Sequence, residues 1–353
     1  MTVVGARPQF IKAAVLSRLI RERYQDSLSE FLLHTGQHYD SNMSDIFFSQ
    51  MRIPRPDRNL GIGSASHGRQ TASMLAGIEE VLLEQKPDLV LVYGDTNSTL
   101  AGALAAAKLN IPVAHVEAGM RSYVRSMPEE QNRVLADHLS SILFCSTSAA
   151  VHNLEREGIL SGVHRVGDVM YDASLFYRKL LAKGEEKAEL PFAVPKDFYL
   201  LTLHRAENTD DPDRLRSIVT ALNRQSDHLG IFPAHPRTRK ALHDAGLSFG
   251  RHILMTDPVG FFEMLHLEEH CRFIVTDSGG VQKEAIFFGK PCITLRDQTE
   301  WVETVESGWN ILVGANADRI AQAFGNLRLP PTKPSFYGKG DSGFKMLEII
   351  KGG

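Results

Sequence analysis

The chain has 353 residues, of which 43% are hydrophobic and 23% are charged, a composition typical of a folded globular protein that excludes a disordered one. Its length is too great for one ordinary hydrophobic core and is typical of two domains. The net charge of −3 excludes the basic excess of a nucleic-acid-binding protein, although basic residues can still be concentrated at one anion-binding site.

The first half of the chain alternates short β-branched runs with longer amphipathic segments. After a very short first strand at 2–4, this pattern predicts strands at 31–34, 88–95, 111–118 and 142–145, and helices at 66–85, 97–108 and 129–139. The strands are nearly continuous apolar runs, which is typical of a parallel sheet buried on both faces.

The alternation pauses at 178–197, a charged and then proline-containing stretch that is typical of a linker. A second series follows, with strands predicted at 199–205, 230–235, 272–277 and 291–296, and a short helix is predicted at about 342–351. We therefore expect an α/β protein with two Rossmann-like domains whose parallel sheets face each other across a cleft. In such sheets ligands bind at the carboxyl ends of the strands.

Several classes of site are not indicated by the sequence. No apolar run reaches the roughly 18 residues that a membrane span needs, and the first residues lack a signal-peptide pattern, so we expect a cytoplasmic protein without a membrane partner. Cys145, Cys271 and Cys292 lie in apolar strand-like segments and are expected to be buried, reduced thiols. Zinc-binding, Walker A and dinucleotide-binding motifs are absent from the sequence.

The turns that follow the first strands carry polar residues. GARPQFIK places Gly5, Arg7 and Lys12 at a strand-to-helix turn, where a glycine admits a ligand and the helix N-terminus favours an anion. Taken alone, Arg7 and Lys12 are equally consistent with surface charges. Asp95 follows the strand 88–95 and is consistent either with a helix cap or with a functional carboxylate.

Two further carboxylates extend this group. Glu117 ends the next strand, where neither a turn nor a solvated helix face explains it, and His115 beside it is expected to pack or orient rather than to catalyse. Glu129 opens a helix four residues before Arg133, which is consistent with a surface ion pair or with Arg133 holding Glu129 toward a site. Together with Asp95, these carboxylates suit general acid and base roles.

The second half of the chain supplies features of a phosphate and nucleotide site. TDSGGVQKEA follows a strand and opens a helix, so that Ser278, Gly279 and Gly280 present hydroxyl and backbone N–H groups suited to a diphosphate. Glu284 lies one turn further, where it can accept hydrogen bonds from ribose hydroxyls. His204 and His235 each end a strand and are followed within two residues by an arginine, which favours an anionic ligand.

These motifs, taken in order, resemble the non-hydrolysing UDP-N-acetylglucosamine 2-epimerases over nearly the whole chain. The matching segments are GARPQFIK, TGQHYD, YGDTNSTLAG, HVEAG, MPEEQNR, LHRAEN, AHPRT, TDSGGVQKEA and TEWVETVESGWNILVG. The resemblance implies a GT-B architecture with a domain at 1–168 that carries the acid and base carboxylates and a UDP-binding domain at 169–337. It also implies that the terminal segment 338–353 packs back on the first domain.

The resemblance assigns roles to individual residues. The catalytic positions are Asp95, Glu117, Glu129 and His204. The substrate and UDP positions are Arg7, Lys12, Arg133, His235, Phe261, Ser278, Gly279, Gly280 and Glu284, with Phe261 near the uracil. A possible allosteric site for UDP-N-acetylglucosamine falls on Gln37, His38, Arg69 and Gln70.

The implied reaction is inversion of C2 in a UDP-N-acetylated sugar, by loss of UDP to a 2-acetamidoglucal and re-addition. It requires no metal or redox cofactor, and the resemblance implies a homodimer that supplies N-acetylmannosamine-type sugars for cell-surface polysaccharide. The sequence does not decide which carboxylate is the base. GARPQFIK and TGQHYD differ from the commoner GTRPEAIK and AQHREM and are more similar to the branch acting on UDP-2,3-diacetamido-2,3-dideoxy-glucuronate.

Three other functions are weighed against this interpretation. A retaining GT-B glycosyltransferase shares the fold and diphosphate site but does not need three strand-end carboxylates in the first domain. A hydrolysing epimerase uses similar residues but opens with a motif more like GTRADYGK. A non-catalytic UDP-sugar sensor is expected to lose catalytic positions, all of which are present here.

Overall fold

The computed structural model describes residues 1–37, 48, 51–328 and 330–352. Its internal contacts divide the chain into two units, one formed by Met1–Phe176 with Ser335–Gly353 and the other by Tyr177–Pro334. Each unit is built on one parallel sheet with helices between the strands. Within the described residues, no helix combines the length and the apolar character needed to cross a membrane.

The sheet of the first unit has seven parallel strands in the order β3-β2-β1-β4-β5-β6-β7. In chain order the strands are β1 (Thr2–Val4), β2 (Leu32–His34), β3 (Arg58–Asn59), β4 (Val90–Tyr93), β5 (Val113–Val116), β6 (Ile142–Cys145) and β7 (Val163–Arg165). The helices are α1 (Arg7–Leu19), continued by a π-helical turn at Ile20–Tyr24, α2 (His67–Gln85), α3 (Asn97–Lys108), α4 (Pro128–Leu139), α5 (Ser148–Arg156) and α6 (Val169–Ala182).

The central strands of this unit are apolar because helices cover both faces of the sheet. Val3 of β1 pairs with Leu33 on one side and with Val92 on the other, and all three are fully buried. Met74 and Ile78 of α2 pack on the same cluster. Burying each such side chain stabilises the fold by roughly 1.5–3 kcal/mol. Because these positions must be apolar, the central strands could be recognised in the sequence as apolar runs.

The sheet of the second unit has six parallel strands in the order β10-β9-β8-β11-β12-β13. The strands are β8 (Tyr199–Thr202), β9 (Gly230–Pro233), β10 (Ile253–Thr256), β11 (Phe273–Thr276), β12 (Cys292–Thr294) and β13 (Asn310–Leu312). The helices are α7 (Ala206–Thr209), α8 (Pro212–Asn223), α9 (Pro236–Asp244), α10 (Phe261–His270), α11 (Gly279–Phe287), α12 (Val302–Glu306) and α13 (Ala317–Asn326).

The predicted linker at 178–197 is wrong in its first five residues. Helix α6 continues to Ala182, because Tyr177 and Leu180 lie on its apolar stripe and are buried. The charged residues between them made this segment resemble a linker in the sequence. The last helix, α14 (Ser342–Gly352), belongs to the first unit, where its Gly343 N–H donates to Asp172 at 2.8 Å.

In both sheets the strand order reverses beside the first strand of the unit. The reversal lies between β1 and β4 in the first sheet and between β8 and β11 in the second. Open parallel sheets bind ligands at the carboxyl ends of the strands that flank such a reversal. The turns after these four strands are therefore where each unit is expected to bind a ligand.

Candidate active site

The turns after β1 and β4 are joined by one side chain, that of Gln9. Its Oε1 accepts hydrogen bonds from the backbone N–H of Gly5 at 2.7 Å and of Ala6 at 3.0 Å. Its Nε2 donates to the carbonyl of Tyr93 at 2.7 Å. Because Gln9 is buried, these bonds are shielded from water and fix the two turns to each other. No pattern in the sequence had marked Gln9 as a site residue.

Lys12 and Glu117 form an ion pair in this region. Lys12 Nζ donates to Glu117 Oε2, and the lysine and glutamate side chains are only 12% and 8% exposed. Glu117 has a φ of 69°, a left-handed conformation that is rare for a residue with a side chain. Such strain concentrates at functional sites. The paired charge and the strained backbone both favour a functional role for Glu117 over a purely structural one.

Asp95 is held by Arg133 of α4. Arg133 Nη2 lies 2.5 Å from Asp95 Oδ2, and Arg133 Nη1 lies 3.2 Å from Glu130 Oε2. Asp95 is not the cap of α3, because that position belongs to Thr96, whose side chain accepts from Thr99 N. Arg133 is buried whereas the Asp95 side chain is 35% exposed, so the carboxylate is anchored yet reachable from solvent.

The two glutamates at the start of α4 differ in environment. Glu129 is exposed, whereas Glu130 is buried and accepts hydrogen bonds from Ser122 N at 2.9 Å and Tyr123 N at 2.8 Å. Glu130 therefore ties the preceding loop and Arg133 together. Sequence reasoning missed it, since the helix phase relative to the sheet decides which of two adjacent glutamates points inward.

The second unit has its own cluster of strand-end residues around Asp277. This fully buried carboxylate accepts from the backbone N–H of His204 at 3.1 Å and of Arg205 at 2.9 Å. Burial lowers the pKa of His204, the positive charges of Arg205 and His235 lower it further, and Asp277 opposes both. His204 is thus favoured in its neutral form at neutral pH, able to donate or accept a proton.

His235 caps helix α9. Its Nδ1 accepts the N–H of Arg237 at 3.2 Å, so in the neutral ring the proton sits on Nε2. The residue is exposed, and Thr238 ties the helix to the end of β8 by donating to Leu203 O at 2.7 Å. His235 can therefore offer an N–H donor beside a helix N-terminus, an arrangement suited to an anion.

The SGG segment opens helix α11 as predicted, with Ser278 as its N-cap. A Cβ at Gly279 would lie 2.6 Å from Glu300 Oε1 and 3.5 Å from Arg205 Nη2, whereas at Gly280 the nearest atom is 3.9 Å away. A side chain at Gly279 would therefore require the Glu300 carboxyl group to move. Glu300 in turn pairs with Arg296 at 3.0 Å, and sequence reasoning did not find either residue.

Glu284 and Phe261 lie on α11 and α10. The carboxyl group of Glu284 forms a hydrogen bond with Glu268, which is fully buried. Burial raises the pKa of Glu268 well above its usual range, and the charge of Glu284 raises it further. Phe261 is half-buried, with its ring edge-on to Tyr177 at a centroid distance of 5.1 Å.

The residues predicted for an allosteric site are only partly described. Gln37 accepts hydrogen bonds from Ser98 N at 3.0 Å and from its hydroxyl at 2.6 Å. Gln70 accepts from Asn97 at 2.8 Å, so both glutamines hold the start of α3. Arg69 is exposed, and His38 lies outside the described residues.

The remaining predicted site residue in the first unit is Arg7, which is half-buried in the first turn of α1. The structure thus gathers Arg7, Lys12, Asp95, Glu117 and Arg133 around the ends of β1, β4 and β5, and it gathers His204, His235 and the SGG segment in the second unit. Among the described residues, no group of three or more histidine, cysteine, aspartate or glutamate side chains could hold a metal ion.

Known proteins are similar to this chain in both sequence and fold. Residues 21–351 match the family described as UDP-N-acetylglucosamine 2-epimerase. The chain is 51% identical over 360 residues to a UDP-N-acetylglucosamine 2-epimerase homolog of Methanococcus maripaludis, covering 99% of both chains. It is 53% identical over 328 residues to the UDP-2,3-diacetamido-2,3-dideoxy-D-glucuronate 2-epimerase of Pseudomonas aeruginosa, covering 92% of this chain and 90% of the relative. The crystal structure of Methanocaldococcus jannaschii UDP-GlcNAc 2-epimerase in complex with UDP-GlcNAc and UDP matches with a TM-score of 0.87 at 43% identity, covering 100% of this chain and 99% of that chain.

Proposed function

The chain belongs to the UDP-N-acetylglucosamine 2-epimerase family, and we propose on that basis that it inverts C2 of a UDP-activated N-acetylated sugar, converting UDP-GlcNAc to UDP-ManNAc. The observation that carries the proposal is the pair of carboxylates, Asp95 and Glu117, each matched to a cation at the carboxyl ends of adjacent strands. A base that removes a proton from carbon must be ionised and fixed in position, as a carboxylate paired with a cation is.

The proposed reaction has two half-steps that mirror each other. A carboxylate takes the proton from C2 while the C1–O bond breaks and its electron pair leaves with UDP, forming a C1–C2 double bond in a 2-acetamidoglucal. UDP oxygen then adds back to C1 as a proton is returned to the opposite face of C2. We assign the proton transfers to Asp95, Glu117 and Glu129.

Departure of UDP is assigned to the second unit. His204 and His235 offer imidazole groups, and the Ser278–Gly280 segment offers the N-terminus of α11 to the diphosphate. Glu284 is assigned to the ribose hydroxyls and Phe261 to the uracil. Arg7, Lys12 and Arg133 are assigned to support of the reacting centre. Stabilising the leaving diphosphate lowers the barrier to C1–O cleavage because negative charge develops there in the transition state.

A second candidate substrate is UDP-2,3-diacetamido-2,3-dideoxy-D-glucuronate, the sugar in the name of the Pseudomonas aeruginosa relative. The opening motif GARPQFIK and the motif TGQHYD favour it. The chemistry at C1 and C2 is the same for both sugars, so only the groups at C3 and C6 distinguish them.

The test is an NMR assay in D2O with the two UDP-sugars side by side. Deuterium at C2 together with a manno product from UDP-GlcNAc is the expected result. Turnover of the diacetamido-glucuronate sugar alone would assign the narrower substrate. Absence of C2 exchange with both sugars would refute the epimerase proposal and favour a glycosyltransferase or a sensor.

We also propose that the enzyme acts as a cytoplasmic homodimer and supplies sugars for cell-surface polysaccharide. These points rest on the family resemblance. Light scattering on the purified protein tests the dimer, since a mass of one chain at micromolar concentration would contradict it. Loss of N-acetylmannosamine-type sugars from the surface polysaccharide of a deletion strain tests the role.

A further inference from the structure

His115 on β5 is fully buried, and both of its ring nitrogens face oxygen atoms. Nδ1 lies 2.7 Å from Asp137 Oδ1, and Nε2 lies 2.7 Å from the carbonyl oxygen of Gly94. A carbonyl oxygen can only accept a hydrogen bond, so Nε2 must carry a proton. The remaining question is whether the proton between Nδ1 and Asp137 belongs to the ring or to the carboxyl group.

The surroundings of Asp137 place that proton on the ring. Asp137 Oδ2 accepts from Arg121 Nη1 at 2.7 Å and from Gly119 N at 3.0 Å, which stabilises the ionised carboxylate. Burial by itself would raise the pKa of Asp137, but His115 and Arg121 outweigh it and the pKa is lowered. Burial would likewise lower the pKa of His115, but Asp137 and the Gly94 carbonyl outweigh it and the pKa is raised.

The other charged and titratable groups near the ring also leave the shared proton on His115 and not on Asp137. Asp95 raises the pKa of His115 further, and Arg121 is itself neutralised by Glu157, whose Oε1 lies 2.7 Å from Arg121 Nε. Burial raises the pKa of the neighbouring Cys145 thiol to about 12, so it stays neutral. His115, Asp137, Arg121 and Glu157 thus form a buried set with two positive and two negative charges.

The bond from Nε2 acts on the turn that carries Asp95. Gly94 has a φ of 62°, and its own N–H donates to Val116 O at 2.9 Å. The Gly94 residue is therefore held by β5 through both its N–H and its carbonyl. Asp95 is the next residue, so the geometry of its backbone depends on these two bonds.

We propose that His115 is a permanent imidazolium that fixes the Gly94–Asp95 turn and so positions Asp95 for the epimerisation proposed above. A neutral imidazole carries one N–H and could donate to only one of the two oxygens, whereas an imidazolium donates to both. His115 acts through Asp95 and is a positioning residue. This inference depends on the proposed function only for its effect on turnover, and the charge state is independent of it.

The first test measures the charge state in the unmodified protein. In protein labelled with 15N-histidine, both ring nitrogens of His115 are expected to give N–H signals from pH 6 to pH 9. The His115→Gln variant assigns the signals. A single N–H in the His115 ring at pH 7.5 would overturn the proposal whether or not the protein is an epimerase.

The second test measures turnover. His115→Gln and Asp137→Asn are expected to lower kcat by about tenfold or more, with KM and the Kd of UDP changed less than about threefold. His152→Gln, the same change at an exposed site of the same unit, is the control and should leave both constants unchanged. Unchanged kcat in folded His115→Gln would overturn the positioning role.

Discussion

Arg133 of helix α4 places its Nη2 2.5 Å from Oδ2 of Asp95, across the end of the sheet. The arginine is almost fully buried and the carboxylate is partly exposed, so the pair holds one side of Asp95 in place. Breaking a buried pair by removing one charge generally costs several kcal/mol, because the other charge stays desolvated. Asp95 is therefore both a reactive group and a structural partner, and a test of its role must separate the two.

Asp95→Asn is expected to lower the rate of C2 proton exchange by about a hundredfold or more while leaving the Kd of UDP nearly unchanged. The amide keeps the shape of the side chain but cannot remove the proton. Exchange is followed by NMR in D2O and UDP binding by calorimetry. Glu130→Gln is the control, since it also removes a partner of Arg133 but no proposed reactive group. Equal losses in the two variants would contradict a chemical role for Asp95.

Gly279→Ala is expected to lower the free energy of unfolding by about 1–3 kcal/mol, since the new Cβ would displace Glu300 from its place beside Arg296. Gly280→Ala has room for its methyl group and should leave stability unchanged or raise it by up to about 1 kcal/mol, because alanine favours the helix. Urea denaturation of both variants measures this, and equal stabilities would contradict the packing argument.

His235 serves two roles that substitution can separate. His235→Asp keeps a side-chain acceptor for the cap of α9 but places a negative charge beside the proposed diphosphate site. We expect its melting temperature to stay close to that of the wild type and its affinity for UDP to fall by about tenfold or more. His235→Ala should lose both the cap and the affinity. Wild-type UDP affinity in His235→Asp, measured by calorimetry, would remove His235 from the site.

Asp172, which accepts from Gly343 at the start of α14, gives stability a pH dependence. Burial raises its pKa from 3.8 to about 6. The folded state therefore holds a proton that the unfolded chain has released, and this residue's contribution to stability falls as pH rises from about 4 to 6. Asp172→Asn should be more stable than the wild type by about 1–3 kcal/mol at pH 8 and equal at pH 4.

Denaturation curves at the two pH values measure that difference. Asp341→Asn is the control, because this neighbouring acid is partly exposed and its pKa is lowered by its hydrogen bond with Lys345. A stability gain for Asp172→Asn that is the same at both pH values would show that the effect does not come from ionisation.

The buried Glu268 is expected to make the protein less stable as the pH rises. Its raised pKa means that the folded protein keeps the carboxyl proton at neutral pH, where it can be donated to Glu284. Stability contributed by this group is present at low pH and falls as pH rises toward the folded pKa. Glu268→Gln, which donates through an amide and cannot ionise, should therefore lose less stability than the wild type between pH 6 and pH 9. Parallel pH profiles for the two proteins would contradict this.

Local sequence was sufficient for the elements with strong patterns. The helix predicted at 97–108 and the strand at 142–145 have the same bounds in the structure. The strands β3, β7, β10 and β13 were not predicted, and they are the edge strands of the two sheets. Their pairing depends on backbone hydrogen bonds to a neighbouring strand, for which the sequence carries little side-chain signal.

The site residues also fall into two groups, those that the local sequence revealed and those that only the fold revealed. Asp95, Glu117 and the SGG segment were recognisable because a polar residue directly after a buried strand is unusual. Their partners were harder to find: Glu130 and Asp137 are charged helix residues that look like ordinary surface groups until the fold buries them. The sequence pointed to Glu129 as a partner of Arg133, whereas the structure places Asp95 and Glu130 beside the guanidinium group.

The sequence by itself determined the α/β class, the order of the central elements and the residue types available for acid, base and diphosphate chemistry, because periodicity and strand-end position are local properties of the chain. Only the tertiary structure decided which charges meet. The contact of Lys12 with Glu117 joins residues 105 apart in sequence, and that of His115 with Asp137 depends on how α4 is rotated against the sheet. Such pairing is set by the packing of whole elements, which no local pattern encodes.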